Sequence, residues 1–208
     1  MSSHLPPDFG TTHFLTEDNL SLDLINSEHF DYRGRRPPQD MLDDQAWLTA
    51  WAARWHLPVA PPPDPVALAA LRALRALLRR MLMDLAAQQQ VSEAQLEELN
   101  TFLALTPVRQ QAQQIDGGVR LVSLPLQAGW IGVVTQVAAS WADLIGRTPF
   151  DRLKVCGNPA CHWVFVDQSH NLSRRWCRQW ACGNLMNVRQ FRAQARQSRR
   201  IGHQTDTP

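Results

Sequence analysis

The chain has four cysteines, and all of them fall in its last quarter. Cys156 and Cys161 form one close pair and Cys177 and Cys182 a second, with fifteen residues between the pairs. Thiolates are soft ligands that hold Zn2+ tetrahedrally, and two pairs brought together by a turn complete a four-sulfur shell with no position left for water or substrate. The spacing therefore predicts one structural, non-catalytic zinc held by Cys156, Cys161, Cys177 and Cys182. A segment of roughly 50 residues around these pairs has little core of its own, since chains below about 70 to 80 residues rarely gain more than ~3 to 5 kcal/mol from packing. Zinc binding, of order 10 to 16 kcal/mol, would tie its folding to the metal. Two disulfides are the competing reading. Against them, residues 1–10 show no basic start followed by an apolar run, so the expectation is a reducing, cytoplasmic setting in which thiols stay free.

Charge divides the chain into unlike parts. Residues 1–150 hold 11 Lys or Arg against 16 Asp or Glu, a net of −5, whereas residues 151–208 hold 10 against 3, a net of +7. A compact module of that positive charge attracts polyanions, because each phosphate it neutralises releases condensed counterions. It can equally contact the acidic part of its own chain. The 208 residues are 44% apolar, enough for one medium domain plus a small one, and no apolar run is long enough to suggest a membrane span.

Periodicity predicts a mainly helical front. A first helix from about Glu17 to Ser27 turns Leu20, Leu24 and Ile25 inward, and a charged loop follows through Arg33, Gly34, Arg35 and Arg36 to Pro37 and Pro38. A second helix is expected from near Gln39. Its Trp47, Trp51 and Trp55 recur every four residues on one face, which reads as a core stripe or as an aromatic wall for an apolar small-molecule effector. Prolines crowd residues 58–65 and make a stiff connector, after which Asp64 and Pro65 start a third helix reaching about Gln89. Its Leu68, Leu71, Leu74, Leu78, Met81, Leu82 and Leu85 point inward, and Arg72, Arg75 and Arg79 read as a solvated stripe beside them. Ser92 and Gln95 make a capping box for a fourth helix. Val108–Gln114 and Val119–Leu124 read as a hairpin around Asp116-Gly117-Gly118, and a long apolar helix follows from about Leu126 to Ile145. The expected fold is thus mainly α with a small β component. It has a helical domain over 1–148 with one short hairpin, a treble-clef or zinc-ribbon-like finger over 149–200, and a disordered tail over 201–208.

In the finger, Trp163–Val166 is expected as a strand that pairs with a returning segment through Trp176 and Cys177, and a helix is expected from about Asn184 to Arg200. Arg189, Arg192, Arg196, Arg199 and Arg200 lie within about 100° of arc on that helix at 3.6 residues per turn. With Arg174 and Arg175 on the preceding turn they form the candidate nucleic-acid contacts, for DNA in the first instance and for RNA as a variant. Arginine's planar fork matches both phosphate and a guanine edge. Leu185, Val188, Phe191 and Ala195 sit beside the cationic edge and are expected to pack on the hairpin and Trp180. His13, His29 and His56 are scattered, His162 and His170 are subordinate to four sulfurs, and no phosphate loop or activated serine pattern occurs, so no enzyme is expected.

The run Cys156-Gly-Asn-Pro-Ala-Cys161, the stretch Trp163 to Asp167, Ser173 to Cys177 and Cys182-Gly183-Asn184 together resemble the CGNR zinc-finger family. That resemblance implies a bacterial protein with an amino-terminal helical domain of the ABATE type and a role in stress-induced transcription regulation. Leu20 to Asn26 is similar to that domain's opening motif, and Trp141 to Lys154 to its run into the finger. One position departs: Leu185 stands where the family's name calls for arginine. If that arginine contacts phosphate, one anchor is lost here; if it holds the knuckle, Leu185 repacks with Val188 and Arg189 takes over part of the charge. The functional expectation is a zinc-dependent DNA-binding regulator whose helical domain senses a ligand or partner. The alternative is an adaptor whose finger docks on acidic protein.

Overall fold

The computed structural model describes residues 19–88, 90–115 and 117–204, except for the side chains of Gln88, Ile115, Arg120 and residues 199–204. The expected helix start at Glu17, His13, Gln89, turn residue Asp116 and the tail from 205 lie outside the described residues. Helix α1 (Leu20–Ile25) begins where Asn19, in extended backbone, accepts the N–H groups of Ser21 and Leu22. All six of its residues are buried, Asp23 included. The chain then enters a short strand β1 (Glu28–His29), loops out through the arginine-rich segment, and returns as β2 (Gln39–Asp40), paired antiparallel with Glu28 opposite Asp40.

That pairing takes up the residues expected to open the second helix. Helix α2 (Gln45–Arg54) starts later, after a 3-10 turn over Met41–Asp43, because Asp44 supplies the side-chain acceptor for the N–H groups of Ala46 and Trp47. Its aromatic face is core. Trp47 and Trp51 are 0% exposed and stack with ring centroids 5.3 Å apart, and Trp51 stacks in turn on Trp130 at 6.5 Å. Trp55 is half-buried and donates its indole N–H to Asp23 Oδ2 at 2.7 Å. The stripe of Trp47, Trp51 and Trp55 is therefore packed against its own chain and does not form an open wall for an effector.

Helix α3 (Pro65–Gln88) is capped by Asp64 and buries Leu71, Leu74, Leu77, Leu78, Met81, Leu82 and Leu85 along one side. Helix α4 (Glu93–Leu103) opens with the expected Ser92–Gln95 capping box. Strands β3 (Val108–Ile115) and β4 (Gly118–Pro125) form the expected hairpin, in register from Val108 opposite Pro125 to Ile115 opposite Gly118. Gly117 takes φ 77 in its turn, the left-handed region that side-chain-bearing residues disfavour. Helix α5 (Trp130–Arg147) begins four residues later than its apolar run, because the Leu126 N–H closes the hairpin base on the Pro107 carbonyl at 2.9 Å. Its Val133, Val134, Val137, Ala138 and Trp141 meet α1, α3 and α4 in one core. No helix among the described residues is long and apolar enough to cross a membrane.

The arginines of α3 are not a solvated stripe. Arg75 is 9% exposed and grips Asp40 through both nitrogens, at 2.7 and 2.8 Å, while donating also to the Ser27 hydroxyl. Arg72 binds Asp40 and Asp43, so the two side chains fasten α3 to the β2 segment. Burial works against the Asp40 carboxylate, yet these guanidinium bonds hold it at about 2, below its ordinary 3.8. A depressed folded-state value means that the contribution is present above pH ~4 and is lost as pH falls toward 2. Asp40→Asn should thus lower the urea midpoint at pH 7, and the gap from the parent should close on acidification. A gap of constant size from pH 7 to pH 3 would contradict this.

Candidate metal centre and nucleic-acid interface

The finger opens as a hairpin wrapped around the first cysteine pair. Strand β5 (Leu153–Val155) pairs antiparallel with β6 (Val164–Val166), so the knuckle Cys156–Cys161 is the loop between them. The pairing expected for Trp163–Val166, with a returning strand through Trp176 and Cys177, does not form. Residues 174–178 come back as a loop, with Gly157 donating its N–H to the Arg175 carbonyl at 2.9 Å. A Cβ on Gly157 would sit 3.0 Å from the Trp176 ring, which is why the close approach suits glycine. A π-helical turn, Gln179–Gly183, carries Cys182 and runs straight into helix α6 (Asn184–Gln204). The helix continues into the stretch expected as a tail.

Strand alternation gives β6 two jobs. Val164 points into the core shared with α1 and α3, whereas Phe165 points into a second cluster formed by the four cysteines and Trp163. Leu153 also belongs to the larger core. The finger and the helical part therefore share one apolar interior across β5 and β6.

All four sulfurs are buried and lie within 4.8 Å of one another. Cys161 Sγ is 3.6 Å from Cys177 Sγ, and Cys177 Sγ is 3.7 Å from Cys182 Sγ. These separations are far beyond the ~2.05 Å of a disulfide. They match the roughly 3.8 Å edge of a tetrahedron with ~2.3 Å zinc–sulfur bonds. The cysteines are free thiols, and the donor set also fits: the Cys177 N–H lies 3.4 Å from Cys156 Sγ and Asn158 Nδ2 lies 3.3 Å from Cys182 Sγ. A metal-bound thiolate accepts hydrogen bonds from N–H groups so placed. Without a cation the thiols cannot all ionise. Hydrogen bonding to Cys156 pushes Cys161 and Cys177 well above the usual thiol range, while bonding to Cys161 and the other sulfurs pulls Cys156 well below it. A divalent ion removes that conflict and lets four thiolates coexist. Cys156, Cys161, Cys177 and Cys182 are thus the residues that would hold one structural zinc, and His162 and His170 lie outside this group.

Several buried polar groups hold the finger in shape. Burial opposes ionisation of Asp167, yet Lys154 at 2.6 Å, with the Ser169 hydroxyl and N–H, keeps its carboxylate well below the usual range. Arg174 curls inward: it donates to the carbonyls of Trp176 and Cys177, and its guanidinium lies 4.1 Å from the Phe165 ring centroid. Arg174 is consequently a structural group and leaves the expected set of nucleic-acid contacts.

The helical part reaches across to this module at several places. Asn26 at the end of α1 acts as an extra strand residue, accepting the Val164 N–H at 2.9 Å and donating to the Val164 carbonyl at 3.0 Å. Arg79 on α3 donates to the carbonyls of Ile25 and His162. Tyr32 packs beside the cysteine cluster, and its carbonyl accepts from Asn158 Nδ2 at 2.7 Å. Of the α6 arginines, Arg189 joins these contacts through the Arg33 carbonyl, and none of the bonds named here is an ion pair with an acid of the helical part.

Helix α6 leaves the body almost at once. Arg189, Arg192 and Arg196 are exposed on it, Arg175 is exposed on the preceding loop, and the side chains of Arg199 and Arg200 lie outside the described residues. Val188, Phe191 and Ala195 do not pack on the hairpin: Phe191 is 71% exposed, because β5 and β6 turn their faces to the core and the cysteines. Leu185, in place of the family's arginine, is half-buried at the helix start, and Arg189 one turn on donates to the Arg33 carbonyl at 3.2 Å. Sequence reading missed Arg178, whose guanidinium lies over the exposed Trp180 ring at 5.8 Å. Its place beside the second cysteine pair was a signal that could have found it.

Cys177→Ala should abolish stoichiometric zinc by elemental analysis. Because Leu153 and Val164 belong to the common core, it should also lower the thermal midpoint of the whole chain. Retention of one zinc per chain would contradict the assignment of the site.

The ABATE model, described as "Putative stress-induced transcription regulator", matches residues 18–147, and the CGNR zinc finger model matches residues 152–195. No curated protein matches the chain. The chain belongs to the ABATE family and carries a CGNR zinc finger after its helical region.

Proposed function

We propose that the protein is a zinc-dependent DNA-binding regulator in which the sulfur-bound metal fixes the root of α6 and the helix lays its arginines along phosphates. The observation that carries this reading is the helix itself. It projects from a closed thiolate site with Arg189, Arg192 and Arg196 exposed, and no acidic residue lies between Asp167 and Asp206 to neutralise them. A cationic edge on one face of a projecting helix suits a groove flanked by phosphates, where each contact releases counterions. The closed metal shell leaves no coordination site for a substrate, and the matched families are a regulator and a zinc finger and not enzyme families. The helical domain then serves as the partner- or ligand-responsive part, set against the finger through Asn26 and Arg79. The cell interior is the compartment that a DNA-binding role and free thiols fit.

A protein-adaptor reading is favoured by one observation, the exposed Val188 and Phe191 beside the arginines. The two readings respond to different substitutions. DNA binding depends on charge and predicts a log-log salt slope near −5 for about six phosphate contacts. Arg192→Ala with Arg196→Ala should lower that slope by about two on every duplex tested. A slope near zero, or no binding at low salt, sinks the DNA reading. A partner lost with Phe191→Ala but kept in the arginine double variant would favour the adaptor.

A further inference from the structure

The loop between β1 and β2 was read from the sequence as a charged connector in the acidic part of the chain. The fold places it elsewhere. The Tyr32 carbonyl is bound by Asn158 of the knuckle, the Arg33 carbonyl is bound by Arg189 of α6 at 3.2 Å, and a Cβ on Gly34 would lie 3.4 Å from the Ala160 Cβ. Gly34, at φ 71, lets the chain turn in this close approach. The loop thus lies across the metal knuckle and against the first turns of the cationic helix.

We infer that this loop is part of the DNA-binding surface, with Arg33, Arg35 and Arg36 extending the phosphate-contacting edge of α6. The inference rests on the DNA reading of α6 given above. Three observations carry it. First, all three arginines are exposed, and no carboxylate lies within ion-pairing distance of their guanidinium groups among the described residues. Second, the one acid in the loop is committed to the backbone. Asp31 accepts the N–H groups of Arg33, Arg35 and Arg36 at 3.0, 2.9 and 3.2 Å, which fixes the loop's shape through the backbone and leaves the three arginines exposed. Third, Arg189 is bonded to the Arg33 carbonyl at 3.2 Å, so the loop and the first turns of α6 are adjacent and their exposed arginines carry positive charge on both elements. A polyanion lying across both elements neutralises that charge. The net charge of −5 over residues 1–150 hides this, although Asp40 and Asp43 are paired with α3 arginines and Asp31 is bound to the loop's own backbone.

Arg35 and Arg36 make the cleaner test, because Arg33 also donates to the Tyr32 hydroxyl. In the full-length, zinc-loaded protein, Arg35→Ala with Arg36→Ala should lower the salt slope on duplex DNA by about two, at unchanged zinc content. Combined with Arg192→Ala and Arg196→Ala, the loss should reach about four. The lysine pair, Arg35→Lys with Arg36→Lys, keeps the charge at the same backbone positions and should hold the slope within about one of the parent. If the α6 double variant lowers the slope and the loop alanine pair leaves it unchanged, the inference is overturned while the DNA reading stands. A lysine pair as weak as the alanine pair also overturns it, since the loop would then act through shape. Absence of duplex binding by the parent at low salt removes both.

Discussion

One buried side chain joins the metal shell to the rest of the molecule. Asn158, fully buried in the first knuckle, gives its amide both to Cys182 Sγ and to the Tyr32 carbonyl, so the geometry of the sulfur cluster and the position of the arginine loop are set by the same group. Around it, Asn26 completes the hydrogen bonding of β6, and Arg79 bridges the Ile25 and His162 carbonyls. Each such bond contributes about 0.5 to 1.5 kcal/mol net, but leaving one of these buried partners unpaired costs about 1 to 3 kcal/mol. The arrangement therefore resists partial undocking. Zinc does more here than fold a small appendage, since the hairpin it closes also supplies Leu153 and Val164 to the main core.

This coupling bears on how a regulator of this build would work. A finger on a free linker would present α6 in many directions and lose orientational entropy on binding. Here the root of α6 is held by the π turn at Cys182 and by Arg189 on the loop carbonyl, so the cationic edge is oriented before any polyanion arrives. A change in the helical domain at α1 or α3 reaches the finger through two short polar contacts and a shared strand. That is a route by which a partner of the helical domain could alter α6 without touching it.

Much of this was legible in the sequence, and the misses have physical causes. Local rules worked well: the cysteine spacing found the metal cluster, Ser92 and Gln95 found a cap, and Asp116-Gly117 found a hairpin turn. Errors arose where tertiary contacts decide. The start of α2 moved because Gln39 and Asp40 found a strand partner far back in the chain, and Arg75 was buried by a carboxylate that periodicity cannot locate. Charge placed Arg174 on the preceding turn and Arg189 on the helix in one class, yet Phe165 and two carbonyls claim the first, while the second is exposed and bonded to the Arg33 carbonyl. Similarly, Val188 and Phe191 obeyed a core-like period although both stay exposed among the described residues. The docking of the loop on the knuckle had no signature at all, because carbonyl acceptors such as those of Tyr32 and Arg33 are present at every residue.

The central claim is that metal, finger and helical domain form one cooperative body. Amide hydrogen exchange on the full-length chain, zinc-loaded and then chelated, tests it most directly. The account predicts that chelation strips protection both from the finger and from residues 26–36 of the helical part, where Asn26, Tyr32 and Arg33 meet it. Loss confined to the finger, with the exchange of residues 26–36 unchanged, would contradict it.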